Sequence, residues 1–109
     1  MVVPEDLAIA VERGGGQVVV VVSGEIDFGN VARLRSALLE VGGEDKAEVV
    51  LDLADLRFMD STTVGVIIQG KKRVEEKGGR LLVSRLHPRV RRILEVAGLE
   101  DYLGLPGAG

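Results

Sequence analysis

With 109 residues, 46% of them hydrophobic and 28% charged, the chain has the size and composition of one globular domain with its own core. The absence of cysteine excludes a disulfide framework, a zinc finger and a thiol nucleophile, and a single histidine, His87, excludes a histidine-rich metal site or a paired imidazole acid and base. A net charge of −3 and only three aromatic residues supply neither a basic field nor a stacking platform for nucleic acid, so an interaction module without metal or cofactor is expected rather than an enzyme.

The opening residues Met1, Val2, Val3, Pro4, Glu5 and Asp6 turn acidic at once and lack the basic start and apolar stretch of a signal peptide. Leu7, Ile9 and Val11 then alternate with Ala8, Ala10 and Glu12, the period of a half-buried strand. Gly14, Gly15 and Gly16 break this strand, and a valine-rich strand follows over 17–23, so the pair reads as a hairpin. The glycines do not form a phosphate-binding loop, because no Gly-Lys-Ser/Thr ending and no helix follow them. The apolar run 18–22 is the longest in the chain and far short of the ~18 residues that span a bilayer. A cytoplasmic protein with no membrane insertion is therefore expected.

Beyond residue 27 the period changes. Val31, Leu34, Leu38 and Val41 recur at spacings of three and four and predict an amphipathic helix that Gly42 and Gly43 end. Residues 48–53 read as a strand. A second helix is expected over 61–77 with Val64, Ile67, Ile68 and Val74 on its buried face, stopped by Gly78 and Gly79. Residues 80–84 form another strand. Pro88 opens a third helix with the stripe Val90, Ile93, Leu94 and Ala97, closed by Gly98. The order β-β-α-β-α-β-α implies an α/β domain over 1–109, a mixed four- to five-stranded sheet with helices packed mainly on one face. The tail 104–109 is expected to fray.

Chemistry concentrates in two strand-to-helix segments. At Phe58, Met59, Asp60, Ser61, Thr62, Thr63 and Val64, three hydroxyl residues stand where a helix begins. Two readings are open: plain N-capping, or a covalent switch in which a phosphoryl group adds roughly −1.5 to −2 charges beside Asp60 and repels a docked partner. In the second segment, Gly24, Glu25, Ile26, Asp27 and Phe28, Asp27 reads as a helix cap or a surface acid. Glu25 and Asp27 make a poor metal pair, being two apart on an extended chain with no imidazole nearby. If their strands are neighbours, both segments share one end of the sheet, where partners gather in open α/β folds. Phe28 and Phe58 flank them and are expected to pack and hold the loops in place.

The other candidates are weaker. Arg85, Arg89, Arg91 and Arg92, with Lys71, Lys72 and Arg73, read as solvated faces, since acidic residues outnumber basic ones 17 to 14. His87, just before Pro88, reads as a capping residue. A triad of Ser61, His87 and an aspartate has no Gly-x-Ser-x-Gly elbow behind it. Met59 reads as a core filler.

In this order, the Ser23-Gly24-Glu25-Ile26-Asp27 turn, the stretch from Asp52-Leu53 to Phe58-Met59-Asp60-Ser61, Gly78-Gly79-Arg80-Leu81-Leu82-Val83, Pro88-Arg89-Val90-Arg91-Arg92-Ile93-Leu94 and Ala97-Gly98-Leu99 resemble a STAS domain. The resemblance is to the anti-sigma factor antagonists of bacterial sporulation and stress response, and it spans nearly the whole chain. It implies a binder of an anti-sigma factor with serine-kinase activity that frees the sigma factor and is switched off by phosphorylation. The phosphoacceptor it implies is Ser61, with Thr62 and Thr63 as lesser acceptors; Asp27, Asp60, Ser61, Thr62, Thr63 and Val64 are the implied partner surface. The alternative is an unphosphorylated STAS adaptor in a stress-signalling scaffold or a lipid-transport ABC complex. The family pattern Asp-Ser-Ser/Thr-Gly-Leu-Gly is broken here by Thr63 in the glycine position, where a β-branched residue is expected to be strained or obstructive if the position needs unusual backbone angles or close approach by the partner.

Overall fold

The computed structural model describes residues 7–105. Strand β1 (Leu7–Gly14) pairs antiparallel with β2 (Gln17–Glu25), from Leu7 opposite Gly24 to Gly14 opposite Gln17. The two loop residues, Gly15 and Gly16, have φ of 59° and 80°. Positive φ at both positions gives the turn whose twist matches that of paired strands, which is why glycines stand there. Two parallel ladders follow, β2 with β3 (Glu48–Phe58) and β3 with β4 (Arg80–Leu86), in the sheet order β1-β2-β3-β4.

Alternation sorts the sheet into two unlike faces. Val18, Val20, Val22, Val49, Leu51, Leu53, Leu81 and Val83 are buried on one of them. Helix α1 (Val31–Gly42) lays Leu34, Leu38 and Val41 into this core, and α2 (Ser61–Glu76) adds Val66, Ile67 and Val74. Helix α3 (Pro88–Val96) contributes Val90 and Leu94. Val19, Val21 and Val50 face the other way and are only half-buried, and Leu82 is exposed.

The elements follow the expected order, with four differences. Strand β3 runs on to Phe58 rather than stopping near Leu53, because Leu56 returns to the core after a slip in register and Ile26 N–H donates to Phe58 O (3.0 Å). The buried face of α2 is Thr63, Val66, Ile67, Gly70 and Val74; Ile68 and Val64 sit at its margin. Ala97 is exposed and serves as the C-cap of α3, with Gly98 beyond it at φ 73°.

The fourth difference lies in the expected frayed tail. A further turn, α4 (Glu100–Leu103), is closed by Gly104 in the left-handed conformation. Leu105 N–H donates to Glu100 O (3.0 Å), and Leu103 and Leu105 are buried, so Gly104 and Leu105 belong to the folded body. The remaining tail, 106–109, lies outside the described residues, as do 1–6.

Candidate functional site

Parallel pairing of β2 with β3 brings the two strand-to-helix segments to one end of the sheet. Glu25 stands opposite Phe58, and the Ile26 N–H bond to Phe58 O ties the Asp27 loop to the Asp60 loop. Ile26 and Met59, one apolar residue of each loop, are buried, so each loop is anchored from below.

Asp27 and Asn30 lock the first loop reciprocally. The Asp27 carboxylate accepts from the backbone N–H of Gly29 (2.8 Å) and Asn30 (3.2 Å), while the Asn30 side-chain oxygen accepts from Asp27 N–H (2.9 Å). The Asn30 amide also donates to Glu25 O (3.1 Å). The residue at the N-cap position of α1 is Asn30, not Asp27. The part played by Asn30 escaped the sequence reading, although an Asp-x-x-Asn spacing before a helix is the kind of signal that could have raised it.

In the second loop Asp60 caps α2. Its carboxylate accepts from Thr63 N–H (3.1 Å) and from the Thr63 hydroxyl (3.2 Å). Thr63 is fully buried, so its hydroxyl is neither an accessible phosphoacceptor nor a partner contact, which corrects its place among the candidates. The backbone strain considered at this position is absent as well. Among the described residues the only non-glycine with positive φ is Lys46, and Thr63 lies in regular helix. Val64 is half-buried against the core and offers a partner at most its outer edge. Thr62 is half-buried. Ser61 is exposed at the first position of α2, and its hydroxyl makes no hydrogen bond among the described residues. Of the three hydroxyls, one is spent on the cap and one is open.

The two phenylalanines do not pack as expected. Phe28 is 82% exposed and Phe58 48%, both on loops or strand ends beside Asp27 and Asp60. The buried residues under the loops are Ile26 and Met59, which leaves the aromatic rings outside. Exposed rings flanking an open hydroxyl form a surface suited to a protein partner, where aromatic side chains commonly supply the anchors.

The charged residues sort into local partners. Arg85 donates to the largely buried Asp52 (2.6 Å), which also accepts from Ala54 N–H (3.1 Å). Burial by itself pushes the Asp52 carboxyl up; the Arg85 hydrogen bond, the Ala54 N–H and the Arg85 charge together outweigh it and hold the group below the usual carboxylate range. Lys71 pairs with Glu75 one turn on and lies 5.2 Å from the centre of the Tyr102 ring. His87 caps α3, its Nδ1 accepting from Arg89 N–H (3.2 Å). No group of three or more histidine and acidic residues able to hold a metal occurs among the described residues. None of their helices is long and apolar enough to cross a membrane.

Comparison with known proteins fits this architecture. The chain is 36% identical over 95 residues to an anti-sigma F factor antagonist of Paenibacillus polymyxa, an alignment covering 86% of this chain and 81% of that protein. A crystal structure of an anti-sigma factor antagonist from Mycobacterium paratuberculosis superposes with a TM-score of 0.84 at 27% identity, over 99% of this chain and 92% of that one. The anti-sigma factor antagonist SpoIIAA in its unphosphorylated form gives a TM-score of 0.75 at 25% identity, over 87% of this chain and 84% of that one. The STAS domain profile matches residues 8–106. A hairpin-led mixed sheet with two strand-to-helix loops at one end, matched over nearly its whole length by that profile, makes this chain a member of the STAS domain family.

Proposed function

We propose that the chain is an anti-sigma factor antagonist: a binder, not an enzyme, acting in the cytoplasm on an anti-sigma factor with serine-kinase activity and controlled by phosphorylation of Ser61. The single observation that carries this reading is the contrast at the start of α2, where Thr63 is buried on the Asp60 cap and Ser61 stands exposed with an unengaged hydroxyl. The name of the Paenibacillus relative supports the partner, and a solved relative described by its unphosphorylated form supports the switch.

The switch follows from electrostatics. A phosphate on Ser61 sits at a helix N-terminus, which favours negative charge, so the fold tolerates it. It brings roughly −1.5 to −2 charges next to the Asp60 carboxylate and onto a surface that otherwise offers apolar rings to a partner. Docking then requires desolvating that charge, and the complex dissociates while the domain stays folded.

Incubating the protein with its anti-sigma factor and ATP tests this. Phosphate is expected on Ser61, Ser61→Ala is expected to abolish labelling while keeping the complex, and Ser61→Asp is expected to weaken it. An unlabelled protein whose binding ignores Ser61→Asp would remove the switch. Recovery of a transporter ATPase in place of an anti-sigma factor would make the chain an adaptor instead.

A further inference from the structure

A second polar feature lies outside the Ser61 surface, on the face of the sheet that α1 and α2 leave open. There, a concavity of 420 Å³ is lined by Ala8, Ser23, Asp55, Arg57 and His87 among others. Ala8 pairs with Ser23, and Ser23 with Asp55, so the floor is a row across three strands with small residues at its centre. Both parallel ladders slip in register along this part of the sheet, between Val21 and Ser23 on one side of β3 and between Leu51 and Asp52 on the other. Irregularities of this kind bend a sheet and re-aim side chains, and they recur beside binding sites. The position is also the carboxyl end of the parallel strands, the end at which α/β sheets take ligands.

Three polar groups converge there without satisfying one another. Asp55 and Arg57 flank the buried Leu56 on β3 and so share the open face. Their Cα atoms stand about 6.6 Å apart, two strand steps. The Arg57 guanidinium has no hydrogen bond or ion pair among the described residues, and Asp55 acts on Arg85 only through its charge. His87 uses Nδ1 to accept from Arg89 N–H, so the neutral ring carries its proton on Nε2, a donor left for a ligand. The site therefore offers two donors of positive or polar character and, one side-chain spacing away, a carboxylate.

We propose that this concavity binds a small amino-carboxylate, the head group of a free α-amino acid, with its carboxylate on Arg57 and His87 and its ammonium on Asp55. A purely anionic ligand meets repulsion from Asp55, and a purely cationic one meets it from Arg57; only a molecule carrying both charges satisfies both. The volume leaves room for a side chain beyond the head group. This site is independent of the reading of Ser61.

The test uses the whole chain and follows its backbone amide resonances. Glycine, L-serine, L-glutamine and L-phenylalanine are titrated singly, with acetate and methylammonium as single-charge controls. At least one amino acid is expected to give saturable shifts at Gly24, Asp55 and Arg57, with a dissociation constant on the order of 1 mM or tighter. Each control is expected to bind at least about tenfold more weakly. Asp55→Asn and Arg57→Gln, both at exposed positions, should each weaken binding about tenfold or more, a loss on the scale of one charge-assisted contact. His87→Asn keeps a competent N-cap while removing the imidazole and should weaken binding less. Ser61→Ala should change nothing. Absence of saturable shifts with all four amino acids overturns the site, and acetate binding as well as the amino acids, unaffected by Asp55→Asn, overturns the assigned ligand.

Discussion

The Asp60 carboxylate holds Thr63 twice, accepting from its backbone N–H at 3.1 Å and from its hydroxyl at 3.2 Å, and this double contact fixes the first turn of α2. Because Thr63 is fully buried, its methyl group packs in the core while its hydroxyl is satisfied by the cap. Thr63→Val keeps the shape and removes one of the two hydrogen bonds that Asp60 Oδ1 accepts, and is expected to destabilise the protein by about 1 kcal/mol. Asp60→Ala removes the cap itself and is expected to cost about 1–2 kcal/mol. Urea unfolding of the two variants checks both values, and an Asp60→Ala protein as stable as the parent would show that the cap does not hold the turn.

Phe28 gives the sharpest separation of binding from folding. With 82% of its surface exposed, its truncation removes little from the core, and Phe28→Ala should leave stability within about 0.5 kcal/mol of the parent. If the Asp27 and Ser61 loops dock on an anti-sigma factor, the same change should weaken the complex by about 2 kcal/mol, the scale of an aromatic anchor. Calorimetric titration against the partner measures the second value and thermal unfolding the first. Unchanged affinity would place the docking surface away from Phe28.

The contrast between Phe28 and Thr63 explains what sequence could and could not reveal here. Strand β2 is legible as a short unbroken run of β-branched valines, and helix α1 because Val31, Leu34, Leu38 and Val41 recur at helical spacing. Outside a periodic stretch residue type is the burial signal that remains, and by type Thr63 reads as a surface residue and Phe28 as an interior one. The structure reverses both: a hydroxyl can be buried at little cost when a carboxylate three residues back accepts from it, and a ring can remain outside when Ile26 and Met59 already fill the space below. Helix α4 gave no signal because one turn with a single inward Leu103 has no period. The end of β3 is illegible for a related reason, since the slip in register interrupts the alternation before Leu56. The Asp60-Ser61 step was legible as a helix start, but which hydroxyl lay open depended on the cap.

Asp52 supplies a pH dependence with a definite sign. Its folded-state carboxyl lies below its ordinary value of 3.8, because the Arg85 and Ala54 contacts outweigh the opposing effect of burial. A depressed folded value means that the unfolded chain binds the proton more readily. The stabilisation is therefore fully present above the ordinary value and is lost as pH falls through the lower folded one. Asp52→Asn should cost about 1 kcal/mol at neutral pH and show a shallower loss of stability than the parent on acidification below about pH 4. Parallel unfolding curves across that range decide it; identical slopes would mean that other carboxylates dominate the acid limb.

At Gly79 the chain runs directly against the main chain of Ala47. A Cβ built there collides with the carbonyl oxygen of Ala47 and comes within 2.8 Å of its backbone nitrogen, the same segment whose carbonyl accepts from Arg80 N–H at 2.9 Å. The obstacle is the main chain of Ala47, so no rotamer change relieves it. Gly79→Ala must push the start of β4 away from the residue that leads into β3, where Glu48 pairs with Arg80. We expect a loss of about 2–4 kcal/mol, at the upper end of single substitutions. Gly14→Ala provides the control, since nothing lies within 4 Å of a Cβ there. Thermal unfolding of the two variants should separate them clearly, with the Gly14 variant near the parent. The displacement enters at the amino ends of β3 and β4, whereas Ser61 follows the carboxyl end of β3, so a Gly79→Ala protein that still folds at low temperature should bind its partner with unchanged affinity.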